Sequence, residues 1–201
     1  MTIDDEQIEQ GAAGAAPTAA APTARLFIGL KLNAEIARSL LRFAEGLKDP
    51  AVRVVAVDDI HLTLVPPWAE PAIPEAIARL APVAATCRAF VLAIQHVGYG
   101  PEPRWPRLLW ADCAIADELV ALQSALAAAY QHSDERPFRP HITLARLRGN
   151  GRVIARRHPL DQPLALTQWV KSVELFQSPN AGERGYKVLA SASLGQPAPN
   201  A

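Results

Sequence analysis

Apolar and polar positions divide the chain into two similar passes of strands and helices. RLFIGLKL at Arg25–Leu32 has strand composition, and Asn33 follows it in N-cap position. From there Ile36, Leu40, Phe43 and Leu47 recur at helical spacing, which predicts an amphipathic helix to about Leu47. VRVVAV predicts a strand, Asp58-Asp59 a turn, and IHLTLV the next strand, stopped by Pro66-Pro67. A helix over Pro74–Ala85 and the strand AFVLAIQHVGYG complete the first pass. The second opens with the strand RLLWADC after the proline-rich GPEPRWP. Asp117 starts a helix with Leu119, Leu122, Leu126 and Ala129 on one stripe, and RPFRP leads into the strand HITLARL. SVELFQS and YKVLASASL close the chain as two strands joined by a turn through Asn180–Gly185. Alternating strands and helices in two comparable halves predict an α+β or α/β sheet protein with internal pseudo-symmetry.

Each half contains one tetrapeptide of the same form, HLTL at His61–Leu64 and HITL at His141–Leu144. Side chains alternate along a strand, so His61 and Thr63 share one face while Leu62 and Leu64 share the other. His141 and Thr143 repeat this against Ile142 and Leu144. A polar face inside an apolar sheet needs partners or solvent. Taken singly, either motif also fits a histidine that merely satisfies hydrogen bonding in a half-buried sheet. Side by side, two imidazoles are what acid/base cleavage of a phosphodiester requires: one takes a proton from the nucleophile, the other gives one to the leaving oxygen. Threonine hydroxyls and a nearby arginine can hold the non-bridging oxygens.

Charge changes the picture only locally. The 20 basic and 20 acidic residues balance, which excludes a generic polyanion-coating protein. Between Arg136 and Leu160, however, stand seven arginines and no acid. That stretch reads either as a solvated loop or as a place for phosphate, whose oxygens match guanidinium forks. Residues 1–23, acidic and then rich in Ala, Pro and Thr, bury too little apolar surface to order and are expected to be disordered, as is the tail 196–201. A single bilobal domain is expected over 24–195. There is no basic-plus-apolar leader and no apolar run long enough to span a bilayer; the expected location is cytoplasmic.

Cys87 and Cys113 have no CxxC spacing and are expected to be buried thiols. No close metal-ligand grouping is found among the five histidines, and no metal or cofactor is expected. His96, His132 and His158 are assigned surface or structural places, His132 at a helix end. Trp68, Trp105 and Phe138 are candidates for stacking a nucleobase. Phe138, three residues before His141, is preferred, with core packing the alternative. Trp110 and Trp169 are assigned to the core.

In order along the chain, RLFIGLKL, HLTLV, PRLLWA, RPFRPHITLARL and VELFQS resemble the two-histidine (2H) phosphoesterase superfamily. Within it they resemble the bacterial and archaeal RNA 2′,3′-cyclic phosphodiesterases, also called 2′-5′ RNA ligases. The resemblance covers roughly Arg25–Leu194, and RPFRPHITLAR is its most specific piece. It implies an α+β fold of two pseudo-symmetric lobes, each a mainly antiparallel sheet with flanking helices, around a central cleft carrying the two HxT motifs. It implies His61 and His141 as the catalytic pair, Thr63 and Thr143 as phosphate-holding hydroxyls, and Arg146 as the arginine that follows the second motif. The chain departs from the family where VPPWAE follows the first motif in place of an aromatic-Leu-Gly turn, and where VRVVAV replaces a segment with a common tryptophan.

The expected activity is metal-independent opening of RNA 2′,3′-cyclic phosphate ends to 2′-phosphates, with reverse 2′-5′ ligation as a capacity. His141 is cast as general base and His61 as general acid. The expected partners are RNA ends or nucleotide cyclic phosphates, with the protein a monomer. The alternatives are another 2H phosphoesterase, acting on cyclic nucleotides, ADP-ribose cyclic phosphates or oligonucleotides, and a non-catalytic nucleotide- or RNA-binding module.

Overall fold

The computed structural model describes residues 23–133 and 136–195; the tails at 1–22 and 196–201 lie outside them. The strands are β1 (Ala24–Lys31), β2 (Val52–Val54), β3 (His61–Glu70), β4 (Phe90–Gly100), β5 (Leu108–Cys113), β6 (His141–Leu147), β7 (Gln162–Val170), β8 (Ser172–Gln177) and β9 (Lys187–Ser193). The helices are α1 (Ala34–Glu45), α2 (Ile73–Thr86), α3 (Asp117–Ala129) and α4 (Gly151–Arg157). The class is α+β, with every ladder between these strands antiparallel.

The strand order is β7-β4-β5-β6-β3-β1-β8-β9, with β2 also on β6. Two four-stranded groups therefore meet at β6 and β3, and one residue pair, Leu62 with Ile142, forms that junction. Leu62, Leu64, Ile142 and Leu144 are each at most 1 % exposed. Burying such a side chain contributes roughly 1.5–3 kcal/mol, against about 1 kcal/mol for a hydrogen bond. The apolar face, more than the short ladder, fixes the register here.

Both HxT strands carry a bulge at the same place. Gly29 pairs with Thr63 but Ile28 pairs with Val65, so Leu64 is the extra residue in β3. Trp110 pairs with Thr143 but Leu109 with Ala145, so Leu144 is the extra residue in β6. Two successive residues then bury on each strand, Leu64-Val65 and Leu144-Ala145. The alternation is inverted beyond them, returning Pro66 and Arg146 to the histidine face.

Several expected elements differ in detail. Pro66-Pro67 does not end β3, which runs on to Glu70. The pairing with β1 skips both prolines, and β6 meets β3 only at Leu62, so no ladder needs their missing N–H groups. VRVVAV is a strand only over Val52–Val54 and then gives way to a 3₁₀ turn at Val57–Asp59. Asn33 caps α1, accepting from the Ile36 N–H at 2.8 Å. The buried stripe of α1 is Ala37, Leu40, Leu41 and Ala44 rather than Ile36, Leu40, Phe43 and Leu47, and the helix packs against β2 and β6. Trp169 lies in β7 but is 48 % exposed, contrary to its assignment to the core. Its strand is at the end of the sheet, and its side chain alternates outward. Cys87 and Cys113 are buried free thiols. Among the described residues no helix is long and apolar enough to cross a membrane.

Gly29 marks the closest backbone approach beside the β3 bulge. A Cβ there would stand 2.6 Å from the Leu62 carbonyl oxygen, whereas at Gly98 it would meet the His96 ring, a side chain that can swing away. Gly29→Ala should therefore destabilise by about 1–3 kcal/mol and Gly98→Ala by clearly less. Chemical denaturation of both variants checks this, and equal losses would contradict it.

Candidate active site

The register set by Leu62 and Ile142 places His61 across from Thr143 and Thr63 across from His141, all on one face. The bulge adds Arg146 to that face. The positive charges of Arg146 and of the second imidazole both act on His61, although of the expected site residues only Thr63, Phe138 and His141 line the cleft described below.

The two imidazoles are held alike. His61 Nδ1 donates to the Asp59 carbonyl at 2.7 Å, and His141 Nδ1 donates to the Arg139 carbonyl at 2.8 Å. A carbonyl only accepts, so each neutral ring carries its proton on Nδ1 and its lone pair on Nε2. Burial pushes both below the ordinary imidazole value of 6.5. The carbonyl bonds oppose that shift in both, as does the Asp59 charge for His61 and the Asp112 charge for His141.

Around His61 the walls are aromatic. Its ring centroid lies 4.8 Å from Phe27, 5.2 Å from Tyr186 edge-on and 5.6 Å from Phe176. Asp59 serves twice, since its carboxylate also accepts from the Tyr186 N–H at 2.8 Å. Around His141 one aromatic, Trp110, packs at 4.4 Å. The Arg139 guanidinium lies over the same indole at 4.5 Å and reaches Asp112 at 3.3 Å and the Pro101 carbonyl at 3.2 Å. Asp112 is in turn the cross-strand partner of His141.

Beside His141 opens a cleft of about 710 Å³. Thr63 and Pro66 of β3 line it, with Gln123 and Ser124 of α3 and Phe138 and Arg139 of the segment before β6. Phe138 is partly buried against the core and also lines this cleft. Trp110 is core by burial, at 3 % exposed, yet it too reaches the cleft wall. Trp68 packs on Tyr130 and donates to Glu70 at 3.0 Å, away from the cleft. His132 stands at the C-terminal end of α3, as expected, its backbone N–H donating to the Ala127 carbonyl at 2.8 Å, and it also lines the cleft. His96 bonds Asp161, and His158 lies 3.1 Å from Asp49, both structural contacts outside the cleft.

Missed from sequence were Phe27, Phe176, Tyr186, Trp110, Asp112 and the two carbonyls. The two carbonyls share one offset in sequence: each belongs to the residue two before a histidine, in the segment that leads into its strand. The others come from neighbouring strands and depend on register.

The geometry can be set beside known proteins. The chain is 32 % identical over 131 residues to an RNA 2′,3′-cyclic phosphodiesterase of Geobacillus stearothermophilus, a match over 60 % of this chain that spans 41 % of that relative's length. The crystal structure of TT0787 of Thermus thermophilus superposes with a TM-score of 0.71 at 25 % identity, covering 85 % of this chain and 97 % of that one. Escherichia coli LigT complexed with 3′-AMP superposes at 0.69 and 26 % identity, covering 87 % of this chain and all of LigT, 100 %. The pattern characteristic of one family extends over residues 34–180, most of the sheet and both HxT strands, and by that match the chain belongs to the 2′-5′ RNA ligase superfamily.

Proposed function

We propose that the protein is a metal-independent phosphodiesterase that opens 2′,3′-cyclic phosphates at RNA ends to 2′-phosphomonoesters. The observation that carries this reading is the matched pair of imidazoles, both Nδ1-tethered to carbonyls, facing two threonines across one strand junction. Membership of the superfamily and the likeness to a cyclic phosphodiesterase support it. An acid-and-base pair needs two rings that each present one free nitrogen to the same atom group, and a binding module needs neither.

In the proposed reaction, His141 Nε2 takes a proton from water as the oxygen attacks phosphorus. The bond from phosphorus to the 3′ oxygen breaks, and His61 Nε2 protonates that oxygen as it leaves. The Thr63 and Thr143 hydroxyls donate to the non-bridging oxygens, and Arg146 offsets the charge that builds on them. The two tethering carbonyls orient the rings and stabilise each imidazolium when it forms. Each imidazole feels one acid that supports its basicity, Asp59 for His61 and Asp112 for His141, and positive charge that opposes it, from His141 and Arg146 on His61 and from Arg139 on His141. The same sequence with a 5′-hydroxyl in place of water forms the bond from phosphorus to the 5′ oxygen as the 3′ oxygen leaves, which would give 2′-5′ ligation.

Two predictions test the proposal. With EDTA present, His61→Ala and His141→Ala should each lower turnover of a cyclic-phosphate RNA by at least about 10²–10⁴, and the double variant should lose little more. On an aryl phosphodiester, whose leaving group needs no proton, His61→Ala should recover most of its rate and His141→Ala should not. Turnover that depends on added zinc or manganese, or rescue of the opposite variant, would contradict the mechanism. Arg146→Lys keeps the charge and loses the planar fork. It should lower kcat/KM by at least about tenfold, in line with the loss of a charge-assisted hydrogen bond, without changing the melting temperature, and wild-type kinetics would make Arg146 a surface charge only.

A further inference from the structure

A second concavity, of about 670 Å³, lies outside the catalytic face and is lined by Pro103, Arg104, Trp105, Arg152, Ala155 and Arg156. Trp105 is 64 % exposed, unusual for the largest apolar side chain. The guanidinium of Arg152 lies over its ring at 5.8 Å, which leaves the rest of the indole open to solvent. Arg157, on the same short helix, is paired with Asp49 at 2.7 Å. Arg104, Arg152 and Arg156 meet no carboxylate among the described residues, and no acid lines the pocket.

The patch is built and connected. Gly151 lets α4 seat against the loop before β5, since a Cβ there would fall 1.8 Å from the Pro106 carbonyl oxygen. Asn150 caps the helix, accepting from the Arg152 and Val153 N–H groups. The loop that carries Trp105 also borders the catalytic cleft: Pro101 and Glu102 line the cleft, and Pro103, Arg104 and Trp105 line the patch. Arg139, whose carbonyl tethers His141, bonds the Pro101 carbonyl of this loop. A strand leaving the cleft over Pro101–Pro103 therefore arrives at one open aromatic face and three guanidinium groups.

We infer that Trp105 with Arg104, Arg152 and Arg156 forms a docking platform for the single-stranded body of the RNA whose end occupies the catalytic cleft. This rests on the proposed function for the identity of the strand. The chemistry is that of sequence-tolerant single-strand binding: a base stacks on the indole while the arginines meet backbone phosphates. A mononucleotide cyclic phosphate is too short to reach the platform, so the patch sets preference for chain length and leaves the chemical step untouched.

The test uses the full chain and a fluorescently labelled single-stranded RNA of about ten nucleotides ending in a 2′-phosphate. Its affinity is measured by anisotropy over a salt series, beside turnover of a 2′,3′-cyclic mononucleotide. Trp105→Ala should weaken RNA binding about tenfold, and Trp105→Phe should restore much of it. Each of Arg104→Ala, Arg152→Ala and Arg156→Ala should reduce the salt slope by about 0.7. All four alanine variants should turn over the mononucleotide like wild type and melt like it. RNA affinity and slope unchanged in these variants would overturn the platform, as would parallel losses on the mononucleotide. A wild-type protein that binds the RNA through these residues yet hydrolyses no cyclic phosphate would refute the proposed function and leave the platform standing.

Discussion

One buried pair, Leu62 against Ile142, decides where everything chemical lies. Among the described residues it is the sole ladder pair joining the two four-stranded groups, and both side chains are at 0 % exposure. A slip of one residue at this junction would send a histidine to the core face and a leucine to the cleft. The burial of Leu64 and Leu144 beside them makes such a slip costly, so the face that carries the histidines inherits its alignment from the hydrophobic face behind it. Beyond that pair the strands part. β6 takes β2 as its neighbour and β3 runs on through its prolines, which leaves room for a cleft.

The two halves repeat one plan up to the bulges and differ beyond them. Strand, HxTL, bulge and carbonyl tether recur on both sides. After the bulges, one strand presents Pro66 and the other Arg146. The first has no charge to offer, so Arg146 alone of this pair can serve a phosphate, and it stands where it also acts on His61. The surroundings of the rings differ likewise, with three aromatic rings around His61 and a Trp110–Arg139–Asp112 group around His141. Identical imidazoles thus receive different neighbours.

What could be read from the chain was what repeats within a short window. Alternation along HLTL and HITL gave the shared polar face, and helical spacing gave α1, α2 and α3 to within a few residues. Arg146 shows the limit. Strict alternation points it away from the cleft, and only the resemblance argued otherwise. The bulge at Leu144 supplies the physical reason, and that bulge is written in the pairing with Trp110 and Leu109, not in the local pattern. The continuation of β3 through Pro66-Pro67 was illegible for the same cause: a proline stops a strand only where a partner needs its N–H, and partners are not local. The exposed Trp169 and the aromatic shell of His61 likewise depend on which strand lies next to which.

The most direct measurement is an NMR titration of the imidazole nitrogens of His61 and His141. The account predicts that both neutral rings carry their proton on Nδ1, that both titrate below 6.5, and that His141→Gln raises the titration of His61 by removing a neighbouring positive charge. Rings protonated on Nε2, or a His61 that titrates at 6.5 or above and ignores the substitution, would contradict it.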